Sequence, residues 1–180
     1  GSLIPALMDD NPFMTPNTVL MSISAAREIW RSGYKEVEQN EAMSWGDIHE
    51  PQIIKVTADR LGIDNVTDKV RVPYHYHHDG KRLFSVSLDG ILHVPSKKTI
   101  SIDDRMTFAP QGLSIDFDIE GDGNLEVKTT RTHFRDVPPP YLGVWQLQAG
   151  LMATKRKWGV IAILYSCLLY TSDAADDSQC

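Results

Sequence analysis

The sequence predicts an α/β (α+β) fold, a mixed central β-sheet flanked by helices, on three observations. Two stretches of helical periodicity occupy the first third of the chain; runs alternating with a period of two follow from about Val66 to Thr130; and a proline-led helical stretch then gives way to the β-branched run "GVIAILY". Helix, helix, antiparallel strands, helix and strand can bury their apolar faces together if helices cover the sheet. With 180 residues, 42% of them apolar, the chain suffices for one domain with a sizeable core.

In order, residues 3 to 8 suggest the end of a helix, and "DDNPFMTPNT" is a turn rich in Asp, Asn and Pro. From Thr18 to about Gly33, Leu20, Ile23, Ile29 and Trp30 suit the apolar face of an amphipathic helix. A second helix is expected from about Asn40 to Leu61, stopped by Gly62, with a kink or fresh start near Glu50 because Pro51 removes a backbone donor. The expected strands are "KVRVPYHYH", "RLFSVSLDGILHV", "KTISID", "GLSIDFDI" and "NLEVKTT". "PPPYLGVWQLQAGLMATKRK" reads as a Pro-initiated helix with Val144, Leu147, Leu151, Trp145 and Met152 inward, before "WGVIAILY" closes as a buried strand.

Composition narrows the function classes. The longest apolar run, Trp158 to Tyr170, is too short to span a bilayer, and the acidic start shows no basic leader region, so neither membrane nor export is expected. Cys167 and Cys180 form no disulfide framework, and a reducing cytoplasm is the expected setting. A formal net charge of −6 argues against a nucleic-acid binder, but half of it is carried by Asp173, Asp176 and Asp177 in the last fifteen residues. Basic residues meanwhile gather at Lys81-Arg82, Lys97-Lys98, Lys128-Arg131-Arg135 and Lys155-Arg156-Lys157. The ending "LLYTSDAADDSQC" resembles translated sequencing-adapter DNA, so residues 1 to 165 are read as one domain truncated at both ends and 166 to 180 as a foreign or disordered tail.

The chemistry-bearing stretch is "GDGNLEVKTTR". On a strand Glu126 and Lys128 share one face, which makes them either a same-face ion pair or half of an active site. Further carboxylates around a divalent metal would turn the pair into a phosphodiester-cleaving site. Mg²⁺ needs only one or two carboxylates beside waters and a substrate phosphate. Asp89 in "SLDGI", followed by Gly90, is the candidate partner, and Glu50 in "WGDIHEP" is the third acid, with Gly46 leaving its helical face uncrowded. "YHYHHDG" offers His75, His77 and His78 as a zinc chelate, but without a completing pair nearby it reads better as a polar strand end. Ser87 lacks the surroundings of a nucleophile.

Taken in order, "NEAMSWGDIHEP", "FSVSLDGIL", "GDGNLEVKTT" and "YLGVWQLQAGLMAT" resemble the lambda exonuclease/YqaJ-type viral recombinase branch of the PD-(D/E)XK nucleases, and "IPALMDDNPFMTP" is similar to that family's first helix and loop. The likeness covers about residues 3 to 165 and implies a restriction-endonuclease-like PD-(D/E)XK core. It departs from the family in beginning after the segment that often carries an N-terminal arginine for the DNA end, at the tail, and in the 37-position spacing from Asp89 to Glu126. That gap leaves two readings open. Either Asp89 is the ligand and residues 93 to 120 are an inserted β-hairpin, which the following glycine favours, or Asp116, ten residues before Glu126, takes the compact-family place.

The resemblance implies that Asp89, Glu126, the carbonyl of Val127 and, directly or through water, Glu50 hold one or two Mg²⁺ ions, with Mn²⁺ as an alternative, and that Lys128 orients the attacking water or stabilises the transition state. Gln146 and Gln148, with Tyr141, resemble the family's glutamine helix; they face different sides, so Gln146 is assigned to the site and Gln148, Tyr141 and Arg131 to DNA. The implied activity is a 5′ to 3′ exonuclease on double-stranded DNA ends in phage-type recombination, in a trimeric ring and beside a single-strand annealing protein. The alternatives are a RecB-like or restriction-type endonuclease and an inactive nuclease-fold DNA-binding module.

Overall fold

The computed structural model describes residues 4–10, 12, 14–31, 41–68, 70, 72–102, 115–130 and 139–165. Its elements are α1 (Ile4–Leu7), α2 (Pro16–Arg31), α3 (Glu41–Leu61), β1 (Asn65–Asp68), β2 (Tyr74–His78), β3 (Lys81–Val86), β4 (Gly90–Ile102), β5 (Ile115–Thr130), α4 (Val144–Thr154) and β6 (Gly159–Tyr165). Arg131, Arg135, Cys167, Cys180, the whole of 166–180 and the side chains of Ile29 and Trp30 lie outside what is described.

Local chemistry sets the boundaries. The Thr15 hydroxyl accepts from the Thr18 amide at 3.2 Å and Pro16 fills the first helical position, a standard α2 start. At the other end of α3, Gly62 adopts φ 62°, its amide reaches Asp59 O at 3.1 Å and the Ile63 amide reaches Ala58 O at 2.9 Å. This is a Schellman stop, whose left-handed residue is best a glycine. Between β2 and β3, Asp79 and Gly80 both have positive φ, as a two-residue hairpin of the right twist requires.

The main sheet has the order β1-β4-β5-β6; the first two junctions are antiparallel, and β5 and β6 run parallel with α4 as the crossover. Strand alternation divides its faces. Leu92 and Val94 of β4, Leu125 of β5 and Ala162 of β6 pack with Ile54, Ala58 and Ile63 of the α3 side. Ile91, one residue out of phase, packs instead with Val86, Leu88 and Ala149, so α4 and the β2–β3 hairpin cover the opposite face. The result is a mixed sheet between helical layers, as expected from the element order.

Several local expectations change. "RLFSVSLDGILHV" is two strands, β3 and β4, interrupted at residues 87–89, and the short β1 precedes the first expected strand. Helix α3 runs through Pro51 with no fresh start. Helix α4 begins at Val144, because residues 140–143 form turns in which the Val144 amide bonds Pro140 O at 3.0 Å. Met152 is half exposed, and the buried residues of α4 are the small Ala149 and Gly150, since the sheet lies too close for a larger side chain. Leu20 and Ile23 face outward on α2, where Val19 is the residue driven inside, and β6 is half-buried along most of its length.

Residues 93–102 and 115–120 continue β4 and β5 past a bulge between Val94 and Lys98, making one long hairpin. An apolar groove of about 830 Å³ lies between α3 and β6, with His49, Val56, Phe117 and Trp158 among its lining. It contains none of Asp89, Glu126 and Lys128, whose two strand residues face the other side of the sheet. No helix among the described residues is long and apolar enough to cross a membrane.

Candidate functional site

Strand β5 presents Asp122, Asn124, Glu126 and Lys128 in alternation toward α4. Glu126 is buried, and the Lys128 ammonium donates to its Oε1. The antiparallel register pairs Gly90 with Leu125, which sets Asp89, at the entry of β4, beside Glu126. There the Asp89 Oδ2 accepts from the Val127 amide at 2.7 Å, so the loop acid is fixed to the same strand. Burial pushes the Glu126 carboxyl above its ordinary range; the Lys128 charge opposes that shift and the nearby Asp89 charge adds to it.

The N-terminal end of α4 closes over this pair. Gly143, at φ 104°, stands so near that an added Cβ would meet Ile161 Cγ2 at 3.1 Å, Lys128 Cγ at 3.5 Å and Glu126 Cγ at 3.6 Å. Two requirements, positive φ and close approach, therefore coincide at this glycine. The positive end of the helix dipole also lies beside the buried carboxylate. One turn on, the Gln146 Oε1 is buried without a hydrogen-bond partner. An unpaired buried oxygen is costly unless something else completes it.

The other candidates are placed as follows. Gln148 is exposed on another side of α4, and Tyr141 is half-buried in the turn before that helix. Glu50 is half-buried on α3, on the Glu50, Ile54, Ala58 stripe that meets the sheet, so it approaches from the face opposite Glu126. Asp116 is exposed at the far end of the hairpin, accepting from the Ser101 hydroxyl at 2.6 Å. Ten strand residues put it on the order of 30 Å from Glu126. Arg131 is outside the described residues. His75, His77 and His78 are exposed; His75 Nδ1 bonds the Ser85 hydroxyl at 2.7 Å and His78 faces Asp79.

Two contributors were not read from the sequence: Gly143 and the fully buried Asn124. Asn124 stands two residues before Glu126, so the same-face rule could have found it. Gly143, just ahead of "VWQLQ", carried only the weaker signal of a glycine at a helix entry.

The donor set suits a hard divalent cation. Two carboxylates and an amide oxygen without a partner are all oxygen ligands, and the buried Glu126 gains from a positive neighbour. Among the described residues no three His, Cys, Asp or Glu side chains gather, so waters or substrate oxygens would complete such a shell.

Residues 1–157 match the family model of the YqaJ-like viral recombinase domain. No curated protein and no solved structure matches the chain.

Proposed function

Since the chain belongs to the YqaJ-like viral recombinase domain family, we propose that it is a metal-dependent deoxyribonuclease with a PD-(D/E)XK core, hydrolysing phosphodiester bonds of duplex DNA from its ends, 5′ to 3′, in phage-type recombination. The observation that carries this reading is the Asp89 carboxylate held on the Val127 amide, next to the buried Glu126–Lys128 pair.

In this reading Asp89, Glu126 and the Val127 carbonyl would hold Mg²⁺ or Mn²⁺, with Glu50 contributing through water rather than as a direct ligand. When bound, such an ion activates a water and offsets charge on the scissile phosphate and the leaving oxygen. The protein's own part is positioning and electrostatics. Lys128 supplies a point charge beside the phosphate and orients the attacking water. Gln146 turns its amide oxygen toward the same water, while Gly143 lets the helix approach and narrows the space left to bulk solvent. Tyr141, Gln148 and Arg131 serve the DNA strand leading to the site. Double-stranded ends as substrate, a trimeric ring and a partner annealing protein belong to the same reading.

The test is cleavage of a linear duplex labelled at either 5′ end, beside a closed circle, with Mg²⁺ or EDTA. Expected are mononucleotides released from 5′ ends only with Mg²⁺, and intact circles. Cut circles would replace the exonuclease with an endonuclease, and a folded protein inert in Mg²⁺ and Mn²⁺ would leave a DNA-binding module.

A further inference from the structure

Asn124 is completely buried, and its side-chain amide bonds to Thr154 and Arg156, at the end of α4 and in the link to β6. Its Oδ1 accepts from Arg156 Nη1 at 2.8 Å, and its Nδ2 donates to the Thr154 hydroxyl oxygen at 3.3 Å. Thr154 also donates to Gly150 O at 2.8 Å, and an added Cβ on Gly150 would meet the Asn124 Nδ2 at 3.0 Å. At Gly150 the helix therefore rests on Asn124 and Leu88, with no room for a side chain between them.

Arg156 ties the contact into a wider frame. Its other guanidinium nitrogen lies 3.5 Å from Asp122, its carbon sits 5.4 Å from the centre of the Tyr74 ring, and its side chain is 14% exposed. Asp122 in turn faces His93 Nδ1 at 2.8 Å, and His93 Nε2 faces the Thr67 hydroxyl at 2.8 Å. One polar chain thus runs from β1 through β4 and β5 to the end of α4.

The spacing makes this frame matter for the site. As the crossover between parallel strands, α4 runs back along β5. From Asn124 to Glu126 the strand advances about 6.6 Å. From Gly150 back to Gln146 the helix advances about 6 Å. With Gly150 seated on Asn124, Gln146 comes to the level of Glu126, and Gly143 to Glu126 and Lys128, where it is found.

We propose that Asn124, gripped by Arg156 and Thr154, is a positioning residue for the cleavage reaction: it sets the register of α4 on β5 and so holds Gln146 over Glu126 and Lys128. The inference rests on the nuclease reading above. A slip of one helical residue moves Gln146 by about 1.5 Å. A misplacement of about that size is enough to cost on the order of 10²-fold in rate.

The experiment compares the whole chain with its Asn124→Leu and Asn124→Asp variants, measuring kcat on a linear duplex in Mg²⁺, Kd for the same duplex in EDTA, and thermal melting. Asn124→Leu is expected to lose about 10²-fold in kcat, with Kd within about twofold and a cooperative melt retained. Asn124→Asp keeps the acceptor for Arg156, and the Thr154 hydroxyl can turn its proton to the second carboxylate oxygen, so this variant is expected to recover most of kcat. Should Asn124→Leu fail to fold, Arg156→Met releases the same grip from its more exposed side and is expected to show the same loss in kcat at unchanged Kd. Normal kcat in Asn124→Leu, losses in kcat and Kd that simply follow the folded fraction, or no recovery in Asn124→Asp would overturn the inference while leaving the nuclease intact. A wild-type chain that binds duplex but never cleaves it would remove the nuclease reading and this inference together.

Discussion

Lys128→Ala is expected to lower kcat about 10²- to 10³-fold, some 3–4 kcal/mol of transition-state stabilisation, with little change in duplex affinity. The Lys128 ammonium is held on Glu126, and its stem lies beneath Gly143, so its position is set before substrate arrives. A charge fixed in advance acts on charge that develops during the reaction, which is why the loss should fall on kcat. Circular dichroism would check that the buried Glu126, deprived of its partner, has not unfolded the strand. A variant that keeps kcat but binds DNA poorly would assign Lys128 to the phosphate backbone instead.

The second large effect separates two aspartates. Asp89→Ala removes the carboxylate beside Glu126 and strands the Val127 amide, costing about 1–3 kcal/mol of stability. Cleavage should fall to background. Asp116→Ala removes an exposed hydrogen bond to Ser101 and should change stability by no more than about 0.5 kcal/mol, with cleavage intact. Side-by-side melting curves and cleavage rates read both. Activity lost with Asp116 and kept without Asp89 would reverse the ligand assignment.

Why the sequence left that choice open is physical. Periodicity told which residues share a strand face, and so placed Glu126 with Lys128. It carried no register between β4 and β5, because a long hairpin with a bulge can align its arms in several ways. Asp89 and Asp116 therefore competed on local resemblance, whereas the Gly90–Leu125 pair sets one beside Glu126 and the other at the far end. The glycine stop of α3 and the helix before β6 were legible from a local turn signal and a helical period, whereas α2, read from Thr18, starts at Pro16 with Thr15 as its cap. Asn124 was passed over because a polar residue in "GNLEVK" looks like a turn until its neighbours, thirty residues on, are brought against it.

The central claim is that Asp89, Glu126 and Lys128 form a divalent-metal site that cleaves DNA. Its most direct test is calorimetric titration of Mn²⁺ into the wild-type chain and the Glu126→Gln variant, with duplex cleavage followed in the same samples. Expected is saturable binding in the wild type that rises together with cleavage, and loss of both in the variant. Cleavage that proceeds unchanged in the variant, or in EDTA, would contradict it.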